Sequence, residues 1–106
     1  MKYAEITGWG SYVPPILMTN DDMSQVIDTN DEWIFSRSGI KQRHYSHVST
    51  GKMAWLACER ALDAAGVNAE DVDLIILGST SPEEICPNTA SYIKNELGAT
   101  KAAAFD

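Results

Sequence analysis

A chain of 106 residues, 44% hydrophobic and 22% charged, has the composition of one soluble globular unit and not of a disordered or low-complexity polymer. Its formal charge of −7 argues against general nucleic-acid binding, which needs broad phosphate neutralisation, and no apolar run approaches the ~20 residues of a membrane helix. The opening MKYAEITGWG carries neither the apolar stretch nor the cleavage site of a secretory signal, so a cytoplasmic address is expected.

Tyr3 to Val13 mixes β-formers with Gly8 and Gly10 and meets Pro14-Pro15, which predicts a strand ended by proline. Thr19 or Asn20 caps a short helix over Asp21 to Ile27, whose first-turn acids suit the helix dipole. Asp28 or Thr29 caps a second, Asn30 to Arg37, which Gly39 stops. With the basic loop that follows, these two helices form an excursion at about residues 19–38 rather than a core layer.

The clearest helix is Thr50 to Ala65, closed by Gly66. Ala54, Ala57, Cys58, Ala61 and Ala65 recur along one face, and their small size lets another backbone approach closely. Val72 to Leu77, VDLIIL, is apolar without alternation, as in a parallel strand buried on both faces. Asn88 caps a helix from Thr89 to Leu97 that ends at Gly98, and Lys101 to Phe105 makes a last strand. This alternation predicts an α/β unit with a short parallel sheet and covering helices. About three strands leave such a sheet with open edges, which suggests part of a larger fold.

Chemistry concentrates in DTNDEWIFSRSGI, Asp28 to Ile40. Trp33 and Arg37, four residues apart on one helical face, set an indole beside a guanidinium. Such a pair holds a nucleotide ring by stacking while the cation takes a phosphate. No Asp or Glu occurs between Glu32 and Glu59, whereas Arg37, Lys41, Arg43 and Lys52, half of the eight basic residues, lie there with His44 and His47. A local anion site has this look; so does a solvated basic loop.

No catalytic constellation is complete: there is no GxSxG, P-loop or GxGxxG after a strand, and no convincing carboxylate pair. Cys58 and Cys86 have neither CxxC nor Cys/His spacing, so no metal site and no disulfide framework are indicated. Cys58, on the small-residue face, reads as a buried inert thiol. Cys86, before Pro87 in a loop ahead of a helix, reads as a pocket wall or packing residue in preference to a nucleophile. Gly8 and Gly10 read as positions of close backbone packing.

Read together, ITGWGSYVP, TNDDM, DTNDEWIFSRSGIKQRH, ALDAAG, DLIILGSTSP and PNTASYIKNELG followed by AAFD resemble the N-terminal part of β-ketoacyl-[acyl carrier protein] synthase III. Six motifs in order cover essentially the whole chain. The resemblance implies an incomplete first half of a thiolase-like fold, with residues 1–106 its N-terminal part and the remainder of the enzyme absent. It implies a condensing acyltransferase that joins acyl-CoA to malonyl-acyl carrier protein to initiate fatty-acid synthesis, homodimeric at full length. No nucleic acid, membrane or tightly bound cofactor is implied, coenzyme A thioester being the substrate.

By the same resemblance, Trp33 stacks on the adenine of coenzyme A, and Thr29 and Arg37 contact the same ligand. Ser38 stands where threonine is common, and Thr80 matches a residue near the acyl pocket. Cys86 takes a position where some members place a bulky aromatic that reaches across the dimer and limits chain length. The catalytic cysteine of the family follows the AAFD strand and its histidine and asparagine come from the second half, so no catalytic residue is assigned here. Alternatives are a related condensing enzyme of polyketide, quinolone or long-chain ketone synthesis, and a noncatalytic binding module.

Overall fold

The computed structural model describes residues 1–106, which divide into two compact units: Val13–His47, and Met1–Tyr12 with Val48–Asp106.

The Val13–His47 unit is built on a two-stranded antiparallel ribbon. Strand β1, Ile16–Thr19, pairs with β2, Gln42–Tyr45, in the register Ile16 to Tyr45 through Thr19 to Gln42. Between them lie helix α1, Asn20–Ser24, and helix α2, Asp31–Ser38. The N-cap of α1 is Thr19, in a reciprocal capping box with Asp22. This helix ends at Ser24, short of the expected Ile27, because the N–H groups of Gln25, Val26 and Ile27 turn back onto Asp22 and Met23 instead of continuing. Asn30 caps α2, displacing the expected Asp28 or Thr29: its side chain accepts the Trp33 N–H at 2.8 Å. Gly39 closes α2 with φ +70, a left-handed conformation that suits glycine.

Two expectations fail for the first half of the chain. The predicted strand over Tyr3–Val13 is absent; the strand starts beyond the prolines, at Ile16, where β2 supplies a ladder. The basic stretch is not a loop, since Gln42–Tyr45 forms β2. Polar residues mask this strand, and its pairing partner lies more than twenty residues back in sequence, beyond the reach of local pattern reading.

In the other unit, α3 runs Thr50–Ala65 and closes at the left-handed Gly66, the bounds expected from the sequence, with Ser49 as its N-cap. A 3₁₀ turn, Ala69–Asp71, leads to β3, Leu74–Ile76; α4, Thr89–Leu97, is capped by Asn88 and closed by Gly98; β4, Ala103–Phe105, ends the chain. Strands β3 and β4 are parallel, Leu74 opposite Ala103 and Ile76 opposite Phe105, and the crossover between them contains α4. Ile75, Ala90, Ile93, Ala99 and Ala102 form the buried core, flanked by Ala54, Trp55 and Cys58 from α3.

Burial of β3 on both faces does not hold within this unit: Ile75 is 9% exposed, whereas Leu74 and Ile76 are 48% and 63% exposed. Leu74 and Ile76 alternate with Ile75 along the strand, so the face they share has no covering layer within this unit. The N-terminal glycines find a different neighbour from a strand. A Cβ on Gly8 would come within 2.8 Å of Ala61 O and Ala65 Cβ, and one on Gly10 within 2.4 Å of Ala57 O. The small face of α3 thus admits the backbone of residues 8–10, and Arg60 secures the next turn of chain by donating to Ser11 O at 2.6 Å.

Candidate functional site

Trp33 occupies the third position of α2, where the Asn30 cap holds its N–H, and Arg37 follows one turn later. The Arg37 guanidinium carbon lies 5.8 Å from the Trp33 ring centroid, within cation–π range, worth about 0.5–1 kcal/mol at an exposed site. Trp33 remains 57% exposed, so a wide flat apolar surface faces solvent next to a fixed positive charge.

Beside the ring is a hollow of about 180 Å³ lined by Asp28, Thr29, Asn30 and Trp33. Thr29 is half-buried there, and its hydroxyl oxygen is buried without a hydrogen-bond partner. Leaving such a group unsatisfied costs about 1–3 kcal/mol, and rotation of the Thr29 side chain toward the hollow would let a polar ligand atom recover part of that. An aromatic plate, a planar cation and an unsatisfied hydroxyl, all from one short stretch, suit a ligand with a flat heterocycle and an anionic or polar arm.

The basic window resolves into residues with different uses. Arg43 turns inward, donating to the Asn20 side-chain oxygen at 2.7 Å, and one ring nitrogen of His44 lies 2.7 Å from Pro14 O. Lys41 places its ammonium 5.2 Å from the Phe35 ring centroid. Arg37 and Lys41 therefore keep outward-facing charge in this unit, while Arg43 and His44 are committed to the fold. Asn20, which the sequence presents only as an alternative to Thr19 for the cap of α1, is 1% exposed and binds to groups eleven, twenty and twenty-three residues away. Its only local signal is its place after Thr19 at a helix start.

Thr80 and Cys86 belong to the other unit, both exposed in the segment between β3 and α4. This segment is fastened to the start of α3, where Glu83 Oε1 accepts the Gly51 N–H at 2.6 Å. Ile85, next to Cys86, is 97% exposed. Cys58 is half-buried, and burial pushes its thiol above the ordinary range, which disfavours thiolate. No group of three His, Cys, Asp or Glu side chains is placed to hold a metal ion, and no helix is long and apolar enough to cross a membrane.

No protein-family model matches the chain. Among curated proteins it is 51% identical over 104 residues to the β-ketoacyl-[acyl-carrier-protein] synthase III 2 of Vibrio cholerae, covering 98% of this chain and 29% of that protein. The crystal structure of 3-oxoacyl-[acyl-carrier-protein] synthase III from Aquifex aeolicus superposes with a TM-score of 0.86 at 39% identity, over 95% of this chain and 33% of that one. The priming β-ketosynthase of a polyketide biosynthetic pathway superposes with a TM-score of 0.86 at 33% identity, over 95% of this chain and 31% of that one. The chain spans about a third of the length of these relatives. Half-identity along nearly the whole chain, joined to the same arrangement of helices and strands, identifies it: the chain belongs to the β-ketoacyl-[acyl carrier protein] synthase III family of thiolase-like condensing enzymes and corresponds to the family's N-terminal portion.

Proposed function

We propose that the chain is the coenzyme A-binding portion of a 3-oxoacyl-[acyl carrier protein] synthase III, and that Thr29, Trp33 and Arg37 contact the coenzyme. The observation that carries this reading is the Trp33–Arg37 pair, 5.8 Å from guanidinium carbon to ring centroid, beside the unsatisfied hydroxyl of Thr29. Trp33 offers its face to the adenine, Arg37 offers charge to a phosphate, and Thr29 offers a hydroxyl to either.

The reaction proposed for the whole protein has two stages. An acyl group passes from acyl-CoA to a cysteine thiolate that lies outside these residues, releasing coenzyme A thiol. Loss of carbon dioxide from malonyl-acyl carrier protein then gives a carbanion that attacks the acyl-enzyme and regenerates the thiolate. The 106 residues alone contribute binding and no nucleophile, and are inactive by themselves. A cytoplasmic homodimer is the assembly proposed, with Ile85 and Cys86 at the dimer contact, a role that the full exposure of Ile85 supports. Thr80 and Cys86 are assigned to the acyl pocket, where a small side chain at position 86 leaves room for primers longer than acetyl.

The test is a condensation assay with the native protein, radiolabelled acyl-CoA and malonyl-acyl carrier protein. Formation of 3-oxoacyl-carrier protein supports the reading, and its absence across primers from acetyl to branched medium-chain acyl-CoA contradicts it. A second reading is favoured by the equal TM-score of the polyketide priming ketosynthase, 0.86: the same coenzyme A site serving secondary metabolism. Extender and primer preference in the same assay separates the two.

A further inference from the structure

Helix α2 carries the whole Trp33–Arg37 pair, yet it is only eight residues long and buries none of its side chains. Isolated helices of that length are marginal, so something other than packing must hold it in place. The side chain of Asn20 supplies this hold. Its Nδ2 donates to Asp31 Oδ1 at 2.7 Å, at the first residue of α2, and to Ile40 O at 2.8 Å, just past the Gly39 cap. One buried amide therefore ties both ends of the helix.

The third partner fixes the amide's orientation. Asp31 and Ile40 offer only acceptors and take the NH₂; the Arg43 guanidinium offers only donors and takes Oδ1, at 2.7 Å. Arg43 sits on β2, paired to β1, so the clamp refers α2 to the sheet ribbon. The backbone N–H of Asn20 adds a bond to Lys41 O at 3.2 Å.

We propose that Asn20 is a positioning residue for the ligand site: it touches no ligand itself and sets the attitude of Trp33 and Arg37 by clamping both ends of α2. The site reading is the one proposed above, and the clamp rests on it. A flat ring and a planar cation recognise a stacked heterocycle only when their angle and spacing are held, so loosening α2 costs affinity without removing any contact residue.

Asn20→Asp is the selective variant. It is nearly isosteric, it keeps or strengthens the bond from Arg43, and it turns both ties to α2 into acceptor-against-acceptor contacts. In the intact protein, calorimetric affinity for coenzyme A is expected to fall about tenfold or more, with KM for acyl-CoA rising and kcat held. Amide hydrogen exchange is expected to quicken in α2 and stay unchanged in α3. Adding Asp31→Asn places an amide N–H opposite the new carboxylate and is expected to restore part of the lost affinity, as a merely destabilising lesion would not.

Should Asn20→Asp fail to fold, Asp31→Ala decides the matter against Glu32→Ala. Both variants remove an acid from the first turn of α2, but only Asp31 meets Asn20. Weaker coenzyme A binding in Asp31→Ala than in Glu32→Ala supports the clamp, and equal binding overturns it. Unchanged affinity in a folded Asn20→Asp also overturns it. If the unaltered protein does not bind coenzyme A at all, the coenzyme A reading falls, and exchange in α2 alone decides whether Asn20 clamps the helix.

Discussion

The carboxylate of Asp106 accepts the backbone N–H of Ala90 at 2.7 Å, and that of Thr89 at 2.9 Å, joining the end of β4 to the start of α4. Two of the helix's unpaired N–H groups thereby gain a charged acceptor in the most favourable place for the helix dipole. Asn88 completes the junction, accepting the Ser91 N–H at 2.9 Å and donating to Ala104 O at 3.3 Å.

Asp106→Ala is expected to destabilise the protein by about 1–2 kcal/mol, the usual range for losing a helix cap of this kind. Urea unfolding followed by circular dichroism checks this. A lower midpoint with an unchanged slope is the expected result.

Gly10 tests the contact between the N-terminal segment and α3. A methyl group there would meet Ala57 O at 2.4 Å and Ala61 N at 2.5 Å, both backbone atoms that cannot swing aside. Gly10→Ala is therefore expected to cost about 1–3 kcal/mol, as for other overpacked sites, whereas an alanine at Gly78, which meets nothing within 4 Å, should be tolerated. Thermal melting of the two variants side by side provides the comparison.

These contacts mark how far the sequence could be read. The three helices with glycine at their C-termini were legible because caps and left-handed glycines are local: Asn30 to Gly39, Ser49 to Gly66 and Asn88 to Gly98 each announce both ends within one segment, although the exact cap of α2 was missed by one residue. The parallel pairing of β3 and β4 followed from the crossover through α4. Strand β2 was not legible, because QRHY has no apolar alternation and becomes a strand only by pairing with β1. Trp33 and Arg37 stood out through helical spacing alone, whereas Asn20 acts through partners at Asp31, Ile40 and Arg43 that only the folded chain brings together.

The two thiols should differ in reactivity. Cys86 is exposed, while Cys58 is half-buried with its thiol pushed up by burial, so the fraction of Cys58 present as thiolate at pH 8 is depressed. Brief iodoacetamide treatment of the 106-residue chain, followed by peptide mass spectrometry, is expected to label Cys86 first. Faster labelling of Cys58 would show that the face of α3 opens readily.

Asp22 should make the start of α1 sensitive to acid. The Thr19 backbone N–H, and then its hydroxyl, both donate to Asp22 Oδ2 at 2.8 Å, and they hold its carboxyl below the ordinary value of 3.8. Because the folded value is the lower one, the stabilisation is present above about pH 4 and is lost as pH falls through the folded value. Carboxyl NMR titration is expected to show a midpoint below 3.8 that moves upward in Thr19→Val, which removes the hydroxyl but keeps the backbone bond.

Trp33 is expected to stack on coenzyme A, and calorimetric titration of coenzyme A into the intact native protein and its Trp33→Ala variant tests this most directly. Loss of base stacking predicts a deficit on the order of 1 to 3 kcal/mol, roughly five- to 150-fold in affinity. Equal affinity in the two proteins would contradict the assignment.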